Sequence, residues 1–289
     1  MNCRIVFESL SEINSSHTLL QFNNYSFKQF NILIDTHSHI YAEEFDADRA
    51  ETIERAKSVG VEHIILPNVD SETLPRMLSL EATYPGYCHA AIGLHPTSVD
   101  ANYPSELNLV KSELVRRKWI AIGEIGIDLY WDKTFLNEQI IAFQQQIEWA
   151  LEYDLPVIIH VRDSFRETMS ALAPYRNQGL NGVFHSFVGN IDEANEIIDF
   201  GGFLMGINGI VTFKNSGLAA VVEQIDLKYI LLETDSPYLT PAPHRGKRNE
   251  SAYTQLVLNK LSDIYNLSAE QIDLQTTYNA RQLFSSLAL

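Results

Sequence analysis

From Asn31 onward the chain alternates two textures. Short runs dense in Ile, Val, Leu and Phe, at 32–34, 64–66, 90–94, 120–122, 157–159, 182–184, 203–205 and 229–232, read as buried strands. Longer stretches between them carry apolar residues at helical spacing; Phe143, Ile147, Ala150 and Leu151 share one face at i, i+4, i+7 and i+8. Near-continuous apolar strands need cover on both sides, the condition of a parallel sheet. Eight strand–helix units therefore predict an α/β fold of the (β/α)₈ TIM barrel type, with an open doubly wound sheet as the alternative. Two more helices are expected after the eighth strand, over 251–265 and 269–285. The second opens with Ser268 and Gln271 at capping-box spacing, and Leu267 and Ile272 are placed for a hydrophobic staple. No linker-like tract interrupts the alternation, so 31–289 is expected to be one domain. Residues 1–30 hold only short apolar runs broken by polar residues and read as an N-terminal extension.

At 45% hydrophobic and 20% charged, the composition excludes disordered, collagen-like and coiled-coil classes. Thirty-seven Asp and Glu against 21 Lys and Arg leave a net charge of −16. Such a surface repels phosphate backbones and anionic membranes on average, so handling nucleic acid would require a local basic patch or bound cations. Cys3 and Cys88 are too few for a disulfide framework and fit a reducing compartment. No run reaches the ~18 apolar residues of a membrane helix, and the start lacks the pattern of a signal peptide. A cytoplasmic location without membrane contact is the expectation.

The chemistry gathers at strand ends. Five of the nine histidines, His37, His39, His95, His160 and His185, stand just after apolar runs. In a parallel barrel all strand C-termini open on one face, where active sites sit. His37 and His39 form an H-x-H pair whose imidazoles project to one side, as two ligands of one cation must. Glu124, after the fourth run, can bridge two cations, one on each oxygen, at the ~3.5–4 Å spacing of two-metal hydrolytic sites. His160 and His185 would complete the second ion. Asp235 ends the eighth run beside the first, and could ligate the first ion and take a proton as the catalytic base. Pro237, Pro241 and Pro243 argue against a helix cap at Asp235. Glu233 is a weaker candidate, and Asp35 could orient a ligand histidine. His95 could donate a proton or contact phosphate, and Arg162 could neutralise an anionic substrate. Residues 236–249 contain no Asp or Glu, while His244, Arg245, Lys247 and Arg248 cluster there. Arg245 and Arg248 are thus the expected phosphate-binding pair.

Taken together, the motifs are Asp35-Thr36-His37-Ser38-His39, Gly93-Leu94-His95-Pro96, Gly123-Glu124-Ile125-Gly126-Ile127-Asp128, His160-Val161-Arg162, His185-Ser186-Phe187, Glu233-Thr234-Asp235-Ser236-Pro237 and Arg245-Gly246-Lys247-Arg248-Asn249-Glu250. In this order, over 32–285, they resemble the TatD family of metal-dependent deoxyribonucleases within the amidohydrolase-like barrels. The resemblance implies two divalent ions (Mg²⁺, Mn²⁺ or Zn²⁺) held by His37, His39, Glu124, His160, His185 and Asp235, and hydrolysis of phosphodiesters. The substrate it implies is DNA, as single strands or 3′ ends trimmed in the 3′-to-5′ direction, with RNA a further candidate. The alternative it leaves is ester hydrolysis of another kind, such as removal of D-amino acids from tRNA. Two departures stand out: the N-terminal extension, and Ser186 where many relatives carry Cys.

Overall fold

The computed structural model describes residues 32–287; the expected extension over 1–30 lies outside them. Eight strands are present among the described residues, β1 (Leu33–Asp35), β2 (Val61–Pro67), β3 (Cys88–Ala91), β4 (Ile122–Asp128), β5 (Val157–Arg162), β6 (Gly182–Phe184), β7 (Phe203–Ile207) and β8 (Ile230–Leu232). The helices among the described residues are α1 (Arg49–Ser58), α2 (Leu74–Thr83), α3 (Tyr103–Leu114), α4 (Leu136–Tyr153), α5 (Phe165–Leu172), α6 (Ile191–Phe200), α7 (Leu218–Val222), α8 (Thr254–Tyr265) and α9 (Ala269–Leu283). Every strand pair is parallel, in the ladders β1-β2-β3 and β4-β5-β6-β7-β8.

Two seams close these ladders on each other. Ile92 bridges Ile122, and Gly123 N donates to Ile92 O at 2.9 Å. Ser38 bridges Ser236, Thr36 N donates to Leu232 O at 3.1 Å, and Asp235 N donates to His37 O at 2.9 Å. The sheet is therefore a closed barrel, and the doubly wound alternative is excluded.

Alternation along the strands divides the core in two. One set of buried side chains, including Ile64, Leu66, Ile125, Ile127, Val157 and Ile159, packs against the helices. The other set, Ile34, Ile65, Ala91, Ala121, Ile158, Val183 and Leu231, fills the barrel with Ala280 and Phe284 at the end of α9. Period-two geometry then puts His160 above Ile158, His185 above Val183 and Glu233 above Leu231. The same inward row is apolar at the closed end and titratable at the open end.

The fourth strand differs from expectation. Where the apolar run covers 120–122, the strand begins at Ile122 and runs to Asp128, because Gly123 and Gly126 pair with β5. The register slips between Gly123 and Ile125, a bulge centred on Glu124; such an extra residue re-aims its side chain. Gly126, at φ +146°, is required: a Cβ there would sit 2.1 Å from His160 O. After β8, a 3₁₀ turn over Ser251–Tyr253 precedes α8, and Ser268 with Gln271 caps α9 reciprocally, as its spacing predicts.

Candidate metal centre

The six expected ligands converge at the C-terminal mouth, and Glu124 organises them. Its Oε1 lies 2.8 Å from His160 Nδ1, 2.9 Å from His185 Nε2 and 3.2 Å from His95 Nε2. Its Oε2 lies 3.2 Å from His37 Nε2 and 3.5 Å from His39 Nε2. Asp235 Oδ1 joins that second side at 3.7 Å from His37 and 3.8 Å from His39. The two carboxylate oxygens thus divide the imidazoles into two groups.

Hydrogen bonds behind the imidazoles settle where several protons ride. The Tyr41 hydroxyl donates to Pro67 O at 2.6 Å, so its 2.9 Å contact with His39 Nδ1 is one in which the imidazole donates. That leaves the His39 Nε2 lone pair aimed at the cluster. At His95, Nδ1 accepts from Thr97 N at 3.1 Å, which puts the ring proton on Nε2, facing Glu124. Asp128 Oδ2 meets His160 Nε2 at 2.9 Å. Glu233 accepts from Ser186 N at 2.6 Å, and its Oε1 lies 3.6 Å from His185 Nδ1. Glu233 therefore stands behind His185 rather than within the cluster. Asp35 accepts from Thr234 N at 2.9 Å and Thr234 Oγ1 at 2.7 Å, so it fastens β8 to β1 and touches no imidazole ring. Asp128 and Tyr41 went unassigned in the sequence reading. Asp128 was findable, since it shares an inward face with Gly126 opposite His160 and Arg162; nothing local marks Tyr41.

Burial dominates the electrostatics. Burial alone would raise the Glu124 carboxyl, but the charges of His185, His95 and His37 hold it well below the usual carboxylate range. Burial pushes Asp235 up to about 6 against the opposing pull of His185 and His39. Burial, then His185, lowers His37 well below an ordinary imidazole.

These donors fit divalent ions. His37 Nε2 and His39 Nε2 approach to 3.1 Å, yet the His39 atom carries no proton and the pair converges on the same carboxylate oxygens. Nitrogen and oxygen ligands about 2.0–2.2 Å from a shared ion lie about 3–3.6 Å from one another, close to the spacings found. The donor atoms of His37, His39 and Asp235, and those of His37, Glu124 and His185, lie within 4.8 Å of one another.

The three expected arginines are held differently. Arg162 lays its guanidinium 3.8 Å from the Tyr130 ring centroid at the mouth. Arg245 stands over Phe213 at 4.1 Å. Arg248 is tied to Asp48 by contacts of 2.7 and 2.8 Å and donates to Glu44 O at 2.6 Å. The acid-free loop finds its counter-ion on the segment before α1, which the local sequence does not show. Of the expected phosphate-binding pair, Arg248 thus has an acidic partner and Arg245 an aromatic one.

A family model described as TatD related DNase matches residues 34–285. The chain belongs to that family. Among its TatD relatives, an uncharacterized metal-dependent hydrolase of Bacillus subtilis, YabD, is 37% identical over 88% of this chain and 99% of its own length. A protein of Pectobacterium carotovorum named 3′-5′ ssDNA/RNA exonuclease TatD is 30% identical over 87% of this chain and 99% of its own. The crystal structure of YjjV, a TatD homolog from Escherichia coli, superimposes with a TM-score of 0.83 at 29% identity, covering 89% of this chain and 99% of that one. As a TatD family member the protein is a metal-dependent hydrolase on a TIM barrel. No helix among the described residues is long and apolar enough to cross a membrane.

Proposed function

We propose that this protein is a two-cation phosphodiesterase that removes nucleotides from the 3′ ends of single-stranded DNA, and of RNA. The observation that carries this reading is the division of donors by Glu124: His37 and His39, with Asp235, on the Oε2 side, and His160 and His185 on the Oε1 side. Mg²⁺, Mn²⁺ or Zn²⁺ bound there supplies Lewis acidity to the phosphate and eases deprotonation of water. Asp235 accepts the proton of the attacking water. His95 presents its Nε2 proton to the same mouth and contacts the phosphate, and Arg162 and Arg245 add positive charge on the substrate side. Asp128 holds His160 in orientation, and the Glu233 carboxylate stands behind His185. Bound cations also answer how a chain of net charge −16 receives a polyanion. Relatives bearing an exonuclease name favour nucleic acid over the aminoacyl-ester alternative.

The test uses protein purified without chelator and 5′-labelled single-stranded DNA and RNA. Two cations per chain by elemental analysis and a ladder shortening from the 3′ end are expected, with activity lost to chelator and regained with added ion. Cleavage that persists after complete cation removal, or none on any strand with cations bound, would overturn the reading. Glu124→Gln or Asp235→Ala should lower kcat by about 100-fold or more, with the thermal unfolding profile retained.

A further inference from the structure

Of the nine large apolar side chains exposed among the described residues, four stand in loops that follow strands: Tyr130 and Trp131 after β4, Val188 after β6 and Tyr238 after β8. The strongest case is the adjacent pair, Tyr130 at 54% and Trp131 at 69% exposure. This pair is fastened to the donor cluster by a single carboxylate. Asp128 Oδ1 accepts from Tyr130 N at 3.0 Å and Trp131 N at 3.2 Å, while its Oδ2 meets His160 Nε2 at 2.9 Å. Arg162, the register partner of Asp128 on β5, completes the group, 3.8 Å from the Tyr130 centroid and 5.3 Å from that of Trp131. The two rings meet edge to face, 4.9 Å apart at 89°.

We propose that Tyr130, Trp131 and Arg162 form a platform on which an unpaired nucleobase of the substrate strand stacks, setting the adjoining phosphodiester at the donor cluster. The proposal rests on the phosphodiesterase reading and adds a recognition element to it. Exposed rings beside a guanidinium suit a ligand that carries a flat π face and a negative charge together, which a single-stranded nucleotide does. A base within a duplex has both faces covered by its neighbours, so the platform selects unpaired ends. Stacking tolerates any base, so the platform confers preference for single strands without sequence preference. Because Asp128 holds both the rings and His160, the platform keeps a set position relative to the reacting phosphate.

The cation-loaded protein is tested with single-stranded oligonucleotides whose 3′-terminal nucleotides carry bases or are abasic. Wild-type protein should favour the base-bearing strand by about tenfold in KM. Trp131→Ala and Tyr130→Ala should raise KM for that strand with kcat retained, and should bring the preference toward one; Trp131→Phe should restore most of it. A second readout does not depend on turnover. Trp119 and Trp149 are buried, so exposed tryptophan fluorescence belongs to Trp131. An uncleavable phosphorothioate strand should quench it and shield it from acrylamide, and Trp131→Phe should abolish that response. Strands cut normally, with wild-type preference in both alanine variants, would overturn the platform and leave the phosphodiesterase reading standing. Wild-type protein that cuts no strand and shows no fluorescence response would overturn that reading and the platform with it.

Discussion

Glu124 receives four of its five imidazole contacts from ring nitrogens whose other nitrogen has a neighbouring polar group: Tyr41 for His39, Thr97 for His95, Asp128 for His160 and Glu233 for His185. The Nδ1 atoms of His37 and His185 are both buried without a hydrogen-bond partner, and the two rings lie stacked with centroids 3.7 Å apart. Partners behind a ligand fix its tautomer and angle, and removing one typically costs 10–100-fold in cation affinity. Tyr41→Phe removes the acceptor of the His39 Nδ1 proton while keeping the ring that fills the site. Calorimetric titration should show cation binding weakened by about 10–100-fold, with little change in the folded state's circular dichroism. Unchanged affinity would mean that the Tyr41 hydroxyl does not orient His39.

At the scale of elements, α9 determines whether the closed end of the barrel is sealed. Phe284 packs among the inward apolar residues of the strands. Asn279 Nδ2 donates to Leu227 O and Ile230 O at 2.9 and 2.8 Å, and Thr277 donates to Ile32 O. The start of this helix is set by Ser268, whose hydroxyl accepts from Gln271 N while the Gln271 side chain accepts from Ser268 N at 3.0 Å. Ser268→Ala removes one half of this exchange and should destabilise the protein by about 1 kcal/mol in urea unfolding. Catalysis should be unaffected, since the Ser268 side chain and backbone N–H engage Gln271 and not the donors at the barrel mouth. The capping pair was legible in the sequence because both partners lie within one turn. What α9 seals was not, because its targets just before β1 and on β8 lie 245 and 49 positions away in the chain.

Across the whole molecule, a charged network joins the loop after β8 to α1. Arg248 and Arg55 both reach Asp48, and Arg55 also grips Glu250 at 2.6 Å. Hydrogen bonding from Arg248, reinforced by Arg55 and opposed by partial burial, lowers the Asp48 carboxyl to about 2. A carboxyl whose folded value lies below its unfolded one stabilises fully above the unfolded value and loses that contribution as pH falls toward the folded one. The tie should therefore hold above about pH 4 and disappear between about pH 4 and 2. Asp48→Asn should flatten this part of the profile of unfolding midpoint against pH, so that the wild-type advantage narrows on acidification. A constant difference between the two proteins across that range would show that Asp48 is not the titrating group.

The alternation of apolar runs with helical stretches, and the placing of His, Asp and Glu directly after those runs, was enough to predict a barrel and to nominate the side chains that gather at its mouth. Both features follow from short-range rules: period two along a strand and the shared direction of parallel strand ends. Tertiary structure decided the rest. Which oxygen of Glu124 faces which imidazole depends on a bulge and on the angles between strands, neither of which is encoded in any local spacing. The same holds for Arg248, whose partner Asp48 lies two hundred positions away, and for Glu233, a weaker candidate by its strand face, which closure set behind His185. Hydrogen bonds and ion pairs select partners within a few ångströms, and only the closed barrel determines which side chains come that near.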